Sequence, residues 1–262
     1  TAELSTDPRI RQLMLPRLSA DYDLDASWAI VFSPAIMMAL RFFAGVPLKF
    51  MTAPTLLLVS SVFSIAGLFL LSGATGTMIV IAFILYAVGQ TFYWPTVLGF
   101  TAEQFPKGGA MTLNTVSAIG LLTVGIFGIP FLGAVKTNFD ANALEQEAPA
   151  LYAKVELVEN EETGKQEERF AYKEDKNFFG WEHKSLKTEA ALADTSLSAE
   201  KSADLKGKLD ISARDTIRVA AVLPATMAIA FLLIIIWFKS RGGYKPVVLA
   251  DEHTDENEVA QF

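Results

Sequence analysis

Charged side chains are absent from residues 53–102, a run of fifty residues in the first half of the chain. A single helix of this length would be about 75 Å long, whereas the hydrocarbon core of a bilayer is about 30 Å thick and takes about 20 residues to cross. Residues 72–77 read Ser-Gly-Ala-Thr-Gly-Thr, a small, polar and glycine-rich sequence that is typical of a turn. The run therefore predicts two membrane-spanning helices joined by a short turn.

The distribution of charge, more than its amount, separates this chain from soluble helical proteins. The chain is 52% hydrophobic, which is only a little high for a soluble protein, but its charged residues are concentrated in a few segments. Helices that carry no charge over about 18 residues would have no polar face in water. There is no cysteine, which excludes disulfides and cysteine-bound metals, and no basic patch with interleaved aromatic residues that would indicate nucleic-acid binding.

We predict an all-α polytopic membrane protein with five transmembrane helices and a small soluble α+β insert. The predicted spans are 26–43, 53–71, 77–100, 110–134 and 219–238. The predicted domains are an extramembrane polar segment at 1–25, a four-helix transmembrane bundle at 26–135, a soluble insert at 136–215, a final transmembrane helix at 216–239 and a tail at 240–262.

The insert carries its own secondary-structure signals. Residues 152–158 alternate loosely, 160–165 form a turn sequence, and 167–173 supply a returning strand, so we predict a β-hairpin. Residues 185–209 have leucine and alanine spacing that predicts a helix. A segment of this length with such signals predicts a folded domain rather than a linker.

Basic residues near the ends of the spans predict the orientation in the membrane. One side of the membrane collects Arg41, Lys49, Lys107, Lys239, Arg241 and Lys245. The other side has the uncharged turn at 72–76 and the acidic insert, although Arg9, Arg11 and Arg17 also fall there and go against the rule. Because basic residues accumulate on the cytoplasmic side, we expect a cytoplasmic C-terminus and an insert on the far side.

Three stretches carry a resemblance to a known family. Met38–Lys49 reads MALRFFAGVPLK, Tyr86–Pro95 reads YAVGQTFYWP, and Ala102–Ala110 reads AEQFPKGGA. In their order and spacing, residues 26–135 resemble the C-terminal half of a major facilitator superfamily transporter of the bacterial sugar or nucleoside type. The large insert before the last span is a departure from the family pattern.

The resemblance implies an architecture and a set of partners. The five spans would be the family's eighth to twelfth, in the bacterial inner membrane, with the insert in the periplasm. The partners would be a small-molecule solute, the lipid bilayer and the missing N-terminal half of the same transporter. The chain begins with Thr1 rather than Met, and we expect it to be a fragment of a longer protein.

One side of the third predicted span carries aromatic and amide groups. Four side chains recur at positions i, i+4, i+7 and i+8, namely Tyr86, Gln90, Tyr93 and Trp94. Aromatic rings stack on sugars or nucleobases, and an amide both donates and accepts hydrogen bonds. With Asn114 in the next span, these residues are the predicted substrate-binding set. The alternative for the four is an aromatic belt with ordinary packing, and for Asn114 a hydrogen bond between helices.

Backbone and charge in the same region predict a conformational gate. Pro95 has no N–H, so the carbonyl of Thr91 loses its helical donor and the helix bends there. Arg41 lies near the end of the first span, where it either anchors the helix at the cytoplasmic surface or contacts a neighbouring loop, with Glu103 as the predicted partner.

The predicted function is secondary active transport of a small polar organic solute, a sugar or a nucleoside, by alternating access. No Asp, Glu or His lies in the core of any predicted span, so a proton relay through these helices is not expected. We expect no enzymatic activity, no cofactor and no metal site. The alternative is a membrane-anchored binding or assembly protein whose external insert carries the function.

Overall fold

A computed structural model describes residues 35, 37–42, 47–75, 77–159, 166–194 and 197–247 of the chain. Within these residues, four helical stretches are long and apolar enough to cross a membrane, and they are Ala53–Gly73, Met78–Gln104, Pro106–Glu147 and Ala199–Ser240. These stretches indicate a membrane protein. The predicted polar segment at 1–25, most of the predicted first span and most of the predicted tail lie outside the described residues.

The first two apolar stretches form a tightly packed pair. Helix α1 (Ala53–Gly73) has Pro54 in its first turn, where a missing N–H costs nothing. It is followed by α2 (Thr77–Thr91) and α3 (Tyr93–Gln104), which together form one long stretch with a break at Phe92. Helical hydrogen bonding resumes just beyond the break, where the Thr96 amide donates to the Phe92 carbonyl at 3.1 Å.

The third stretch is continuous but changes its winding in the middle. Helix α4 (Gly109–Thr123) passes into a π-helical turn, Val124–Gly128, and then into α5 (Ile129–Glu147). Pro130 cannot donate to a carbonyl in the preceding turn, and the wider π-turn accommodates this loss. Helix α5 runs unbroken through the predicted domain boundary at 135/136, where Lys136 pairs with Asp140 one turn later on the same helix.

The predicted β-hairpin is present, and a second hairpin follows it. After a short helix α6 (Pro149–Tyr152), strand β1 (Val155–Glu159) pairs antiparallel with β2 (Gln166–Phe170). Strand β3 (Lys173–Phe178) then pairs antiparallel with β4 (Trp181–Leu186).

The helical prediction for 185–209 is correct only in part. Ser185 and Leu186 belong to β4, where they pair with Glu174 and Lys173. Two helices follow, α7 (Thr188–Leu192) and α8 (Ala199–Ala220). The predicted boundary between the insert and the last span, at 215/216, lies inside α8.

The residues between the two long apolar stretches share a hydrophobic core with the ends of those stretches. Helix α5 packs on α8 and on β4. The buried residues of this core are Ala141, Leu144, Ala148, Leu151, Tyr152, Tyr172, Leu186, Ala191 and Leu205. The outer ends of α5 and α8 therefore belong to a second core within residues 141–205, which we predict to lie outside the membrane and call the extramembrane part.

The last helix, α9 (Val222–Ser240), begins after a turn at Ala221 and carries no charge until Lys239. Its 19 residues are about 28 Å long, close to the thickness of a bilayer's hydrocarbon core. Arg218, just before α9, donates from Nε to Ser72 Oγ at 3.1 Å. The turn after α1 and the end of α8 therefore lie at the same end of the bundle.

Candidate functional site

The break at Phe92 leaves a buried backbone carbonyl without its helical donor, and a side chain from earlier in the chain donates to it instead. Pro95 lacks the N–H that would bond to the Thr91 carbonyl. In the structure, Arg41 Nε donates to that carbonyl over 3.4 Å. Thr91 itself is fully buried. The residue predicted as a gate thus contacts the carbonyl that the proline was predicted to release, while its predicted pairing with Glu103 stays a prediction.

Two of the predicted substrate-binding residues lie inside the helical packing. Gln90 Nε2 donates to Tyr86 Oη at 2.5 Å, and both side chains are buried. Tyr86 belongs to a core that includes Leu68 of α1 and Ile217 of α8. The geometry therefore favours the packing interpretation for this pair.

The close approach of α1 and α2 depends on two glycines. A Cβ added at Gly67 would lie 2.6 Å from the backbone N of Tyr86. A Cβ added at Gly89 would lie 2.5 Å from the backbone N of Ser64. Small residues let helix backbones approach closely in membranes, so these two glycines set the distance between α1 and α2 beside Tyr86.

The other predicted residues divide between the interior and the side that faces α4. Tyr93 is buried. Trp94 is half-buried, and its ring lies 3.6 Å from the position a Cβ would take at Gly120 of α4. Asn114 is exposed on α4. The structure thus joins Tyr86 and Gln90 in the interior and leaves Trp94 and Asn114 on neighbouring helices.

The chain after α9 folds back onto the end of α3, which the sequence did not predict. The Tyr244 ring stacks on Phe100 at a centroid distance of 6.0 Å and meets the edge of Phe238 at 5.1 Å. Its hydroxyl donates to the Glu103 carboxylate. Burial, together with this hydrogen bond, raises the pKa of Tyr244 to about 12.

One backbone hydrogen bond and one from a side chain complete this contact. The Val247 amide donates to the Glu103 carbonyl at 2.9 Å, and Gln104 Nε2 donates to the Lys245 carbonyl at 3.1 Å. Residues 244–247, which we call the docked tail, therefore connect the end of α9 to the end of α3. The only signal in the sequence was a tyrosine between a Gly-Gly pair and Lys-Pro.

We expect the docked tail to be released at high pH and by Tyr244→Phe. The phenol donates to Glu103 only while protonated, so a pKa raised from about 10 favours docking below that pH and loses its contribution as the pH approaches 12. The phenolate absorbance that the unmodified chain shows and Tyr244→Phe lacks should titrate with a midpoint near pH 12. Limited proteolysis of the tail should be faster in Tyr244→Phe than in the unmodified chain. Lys245→Ala, which keeps the carbonyl that accepts from Gln104, is the matched control, and a midpoint near the ordinary tyrosine value would contradict the contact.

The extramembrane part contains a three-residue polar network. Lys154 Nζ lies 2.6 Å from Asp194 Oδ2, and the Tyr172 hydroxyl donates to the same oxygen. The hydrogen bond to Asp194 raises the pKa of Lys154 and also that of Tyr172. Both pKa values thus move away from neutrality, and the network connects residues that flank the strands to the segment after α7. Among the residues that the structure describes, no group of three His, Cys, Asp or Glu side chains is arranged to hold a metal.

No family model, curated protein or solved structure matches this chain. The resemblance to major facilitator superfamily transporters therefore rests on the three sequence stretches alone.

Proposed function

We propose that this chain is the C-terminal half of a secondary transporter that moves a small polar organic solute, a sugar or a nucleoside, by alternating access. The observation that supports this most is the helix broken at Phe92, whose freed Thr91 carbonyl accepts a hydrogen bond from Arg41. Transporters place broken helices at their substrate sites, where unwound backbone is surrounded by protein or lines a cavity. A rigid anchor has no need of such a break.

In this proposal the residues around the break have different roles. Trp94 stacks on the solute, and Asn114 on the neighbouring helix hydrogen-bonds to it. Tyr86 and Gln90, with Tyr93, hold α2 and α3 against the bundle. These roles agree with the burial of the second group and with the partial or full exposure of the first.

Arg41 gives the proposed site its conformational control. Its hydrogen bond spans 3.4 Å, which is at the long end for an N–H···O contact, so the cost of breaking it is small. Loss of this bond frees α3 to tilt about Phe92. Glu103, at the far end of α3, holds the docked tail and couples that tilt to the end of α9.

The proposed setting is the bacterial inner membrane, with the docked tail in the cytoplasm and the residues between α5 and α8 in the periplasm. The basic residues after α9 agree with a cytoplasmic C-terminus. The contact of Arg218 with Ser72 puts the turn after α1 and the end of α8 together, as that orientation requires. The N-terminal half of the transporter and a solute are the proposed partners.

Trp94→Ala should impair uptake of the solute. Loss of one stacked ring removes about 1.4 kcal/mol, which corresponds to an increase in KM of about tenfold. The measurement is uptake of labelled monosaccharides and nucleosides by cells that express the complete gene from which this chain derives. Trp237→Ala is the matched control, because Trp237 is 51% exposed on α9 and its ring contacts Phe238 and Arg241 at the end of the same helix. Equal uptake by the two variants would argue against a solute site at Trp94.

A membrane-anchored binding or assembly protein is the second candidate, and it is favoured by the closed hydrophobic core of the extramembrane part. Replacement of the first hairpin, residues 155–170, by a short Gly-Ser linker separates the two candidates, because it leaves the buried Tyr172 and Leu186 in place. A transporter keeps uptake after this replacement and loses it with Trp94→Ala. An assembly protein loses its activity with the replacement and is unaffected by Trp94→Ala.

A further inference from the structure

The turn between β3 and β4 presents three aromatic residues at its end. Phe178 pairs with Trp181 across the hairpin, and Phe179 and Gly180 form the two-residue turn between them. The Gly180 amide donates to Asn177 Oδ1 at 2.8 Å. Phe179 is 74% exposed and Trp181 is 39% exposed. We call Phe178, Phe179 and Trp181 the aromatic tip.

The backbone of the turn does not explain why a phenylalanine occupies position 179. Phe179 has φ of 48° and Gly180 has φ of 87°, as a two-residue hairpin turn with positive φ at both positions requires. Asn, Asp or Gly adopts such a conformation more easily than a bulky side chain does. Since Phe179 strains the turn, any stabilisation it supplies comes from its ring, which meets Phe178 edge-to-face at a centroid distance of 4.9 Å and leaves most of its surface exposed.

The aromatic tip adjoins the apolar surface of the third helical stretch. Phe127, in the π-helical turn, lies 5.6 Å from Phe178 and 6.3 Å from Phe179 between ring centroids. On the same stretch, Ile126 is 58% exposed and Ile129 is 41% exposed. The exposed rings of the hairpin therefore continue an exposed apolar surface on a helix that is suited to cross a membrane.

The polar character of the hairpin returns immediately behind the aromatic tip. Lys176 and Glu182 are exposed on the two strands, and Lys176 lies 3.5 Å from Glu174 in an ion pair further along β3. An aromatic end on a charged stem matches the membrane interface, where Trp and other amphipathic aromatic groups lie at the level of the lipid headgroups.

We propose that the aromatic tip inserts into the interface of the lipid bilayer beside the π-helical turn and holds the extramembrane part against the membrane surface. The occupant of this apolar surface is lipid, because the surface is continuous with that of the membrane helix. The insertion also places the π-helical turn near the membrane boundary, so the hairpin fixes the depth of the stretch from α4 to α5.

Site-directed fluorescence quenching tests this proposal, since the chain has no cysteine and accepts a single label. Phe179→Cys and, separately, Trp181→Cys are labelled with an environment-sensitive fluorophore in the full chain and reconstituted into phosphatidylcholine vesicles. Lys206→Cys, at an exposed position on α8, is the matched control. Nitroxide on the lipid acyl chains should quench the labels at 179 and 181 several-fold more than the label at 206. Aqueous iodide should quench the label at 206 several-fold more than the labels at 179 and 181.

A third variant separates lipid insertion from simple proximity. Phe179→Asn in the Trp181→Cys background removes the ring but suits the turn, so the label at 181 should lose most of its quenching by lipid. Iodide quenching at 179 and 181 equal to that at 206 would overturn the proposal. Shielding of both positions from lipid and from iodide would also overturn it, because another protein surface would then cover the aromatic tip. Neither readout depends on transport.

Discussion

Gly89→Ala is expected to destabilise the helical bundle by about 1–3 kcal/mol, whereas Gly99→Ala should leave it unchanged or slightly more stable. The added methyl group at 89 would meet backbone atoms of α1, with Ser64 N at 2.5 Å and the Ser60 carbonyl oxygen at 2.8 Å. Backbone cannot rotate away as a side chain can, so the two helices have to separate. At Gly99, no described atom lies within 4 Å of the added carbon.

The comparison uses the same chemical change in the same long helical stretch, so intrinsic helix propensity cancels. Alanine is the better helix former at both positions, by about 1 kcal/mol, and any destabilisation at 89 has to overcome that gain. Unfolding of the purified protein in detergent, titrated with a denaturing detergent, gives the difference. Gly67→Ala should behave like Gly89→Ala, because its methyl group would lie 2.6 Å from the Tyr86 backbone. Equal stability of the variants at 89 and 99 would mean that α1 and α2 do not pack closely.

Leu205→Ala is expected to destabilise the extramembrane part by about 2–5 kcal/mol, the range for removing a large side chain from a closed core. Leu205 is fully buried on α8, in the core that contains Leu144 of α5 and Leu186 of β4. Its loss leaves a cavity between two helices and the second hairpin. Leu157→Ala is the matched control, since Leu157 is 64% exposed on β1 and should change stability by less than about 0.5 kcal/mol.

Hydrogen exchange of the strands measures this effect without unfolding the membrane helices. In Leu205→Ala the amides of β3 and β4 should exchange faster by the factor that the lost stability predicts, while those of α1 should be unchanged. Similar exchange in Leu205→Ala and Leu157→Ala would show that residues 141–205 do not form a common core.

The apolar helices were predictable because bilayer thickness fixes their length. The uncharged run at 53–102 is too long for one crossing and contains a turn sequence, and the structure has two long helical stretches there, the second with its break at Phe92. The boundary at 135/136 was less predictable. Lys136 marked the end of an apolar run, but the helix continues to Glu147, and Lys136 forms an i,i+4 pair with Asp140 within it.

The two hairpins show where sequence patterns are sufficient and where they are not. The first combines alternation with a recognisable turn sequence, and it was predicted. The second begins with Lys-Glu-Asp-Lys-Asn-Phe, which is charged and has no alternation of apolar residues. Its position is fixed by long-range contacts instead, including the Lys184 amide, which donates to Asn138 Oδ1 of α5 at 3.2 Å. Such contacts leave no local pattern.

The pairing of Tyr86 with Gln90 was predictable from the sequence, but the helix that this pair packs against was not. Helical spacing correctly joined Tyr86 and Gln90 on one face, yet spacing does not say which neighbour that face meets. The glycines at 67 and 89 decide this, because they bring that face against α1. The sequence predicted that Pro95 would leave the Thr91 carbonyl without its helical donor. The hydrogen bond from Arg41, fifty positions earlier, could be seen only in the folded chain.

Protection of a single cysteine by solute tests the proposed transport site most directly. Asn114→Cys and Thr115→Cys are exposed neighbours on α4, separated by about 100° of helical rotation, and residues 1–262 contain no other cysteine. Any cysteine elsewhere in the whole transporter is replaced by serine. In the whole transporter, a monosaccharide or nucleoside that is taken up should slow thiol labelling at 114 and leave labelling at 115 unchanged. If no such solute is taken up, or if a transported one leaves labelling at 114 unchanged, the proposed site is contradicted.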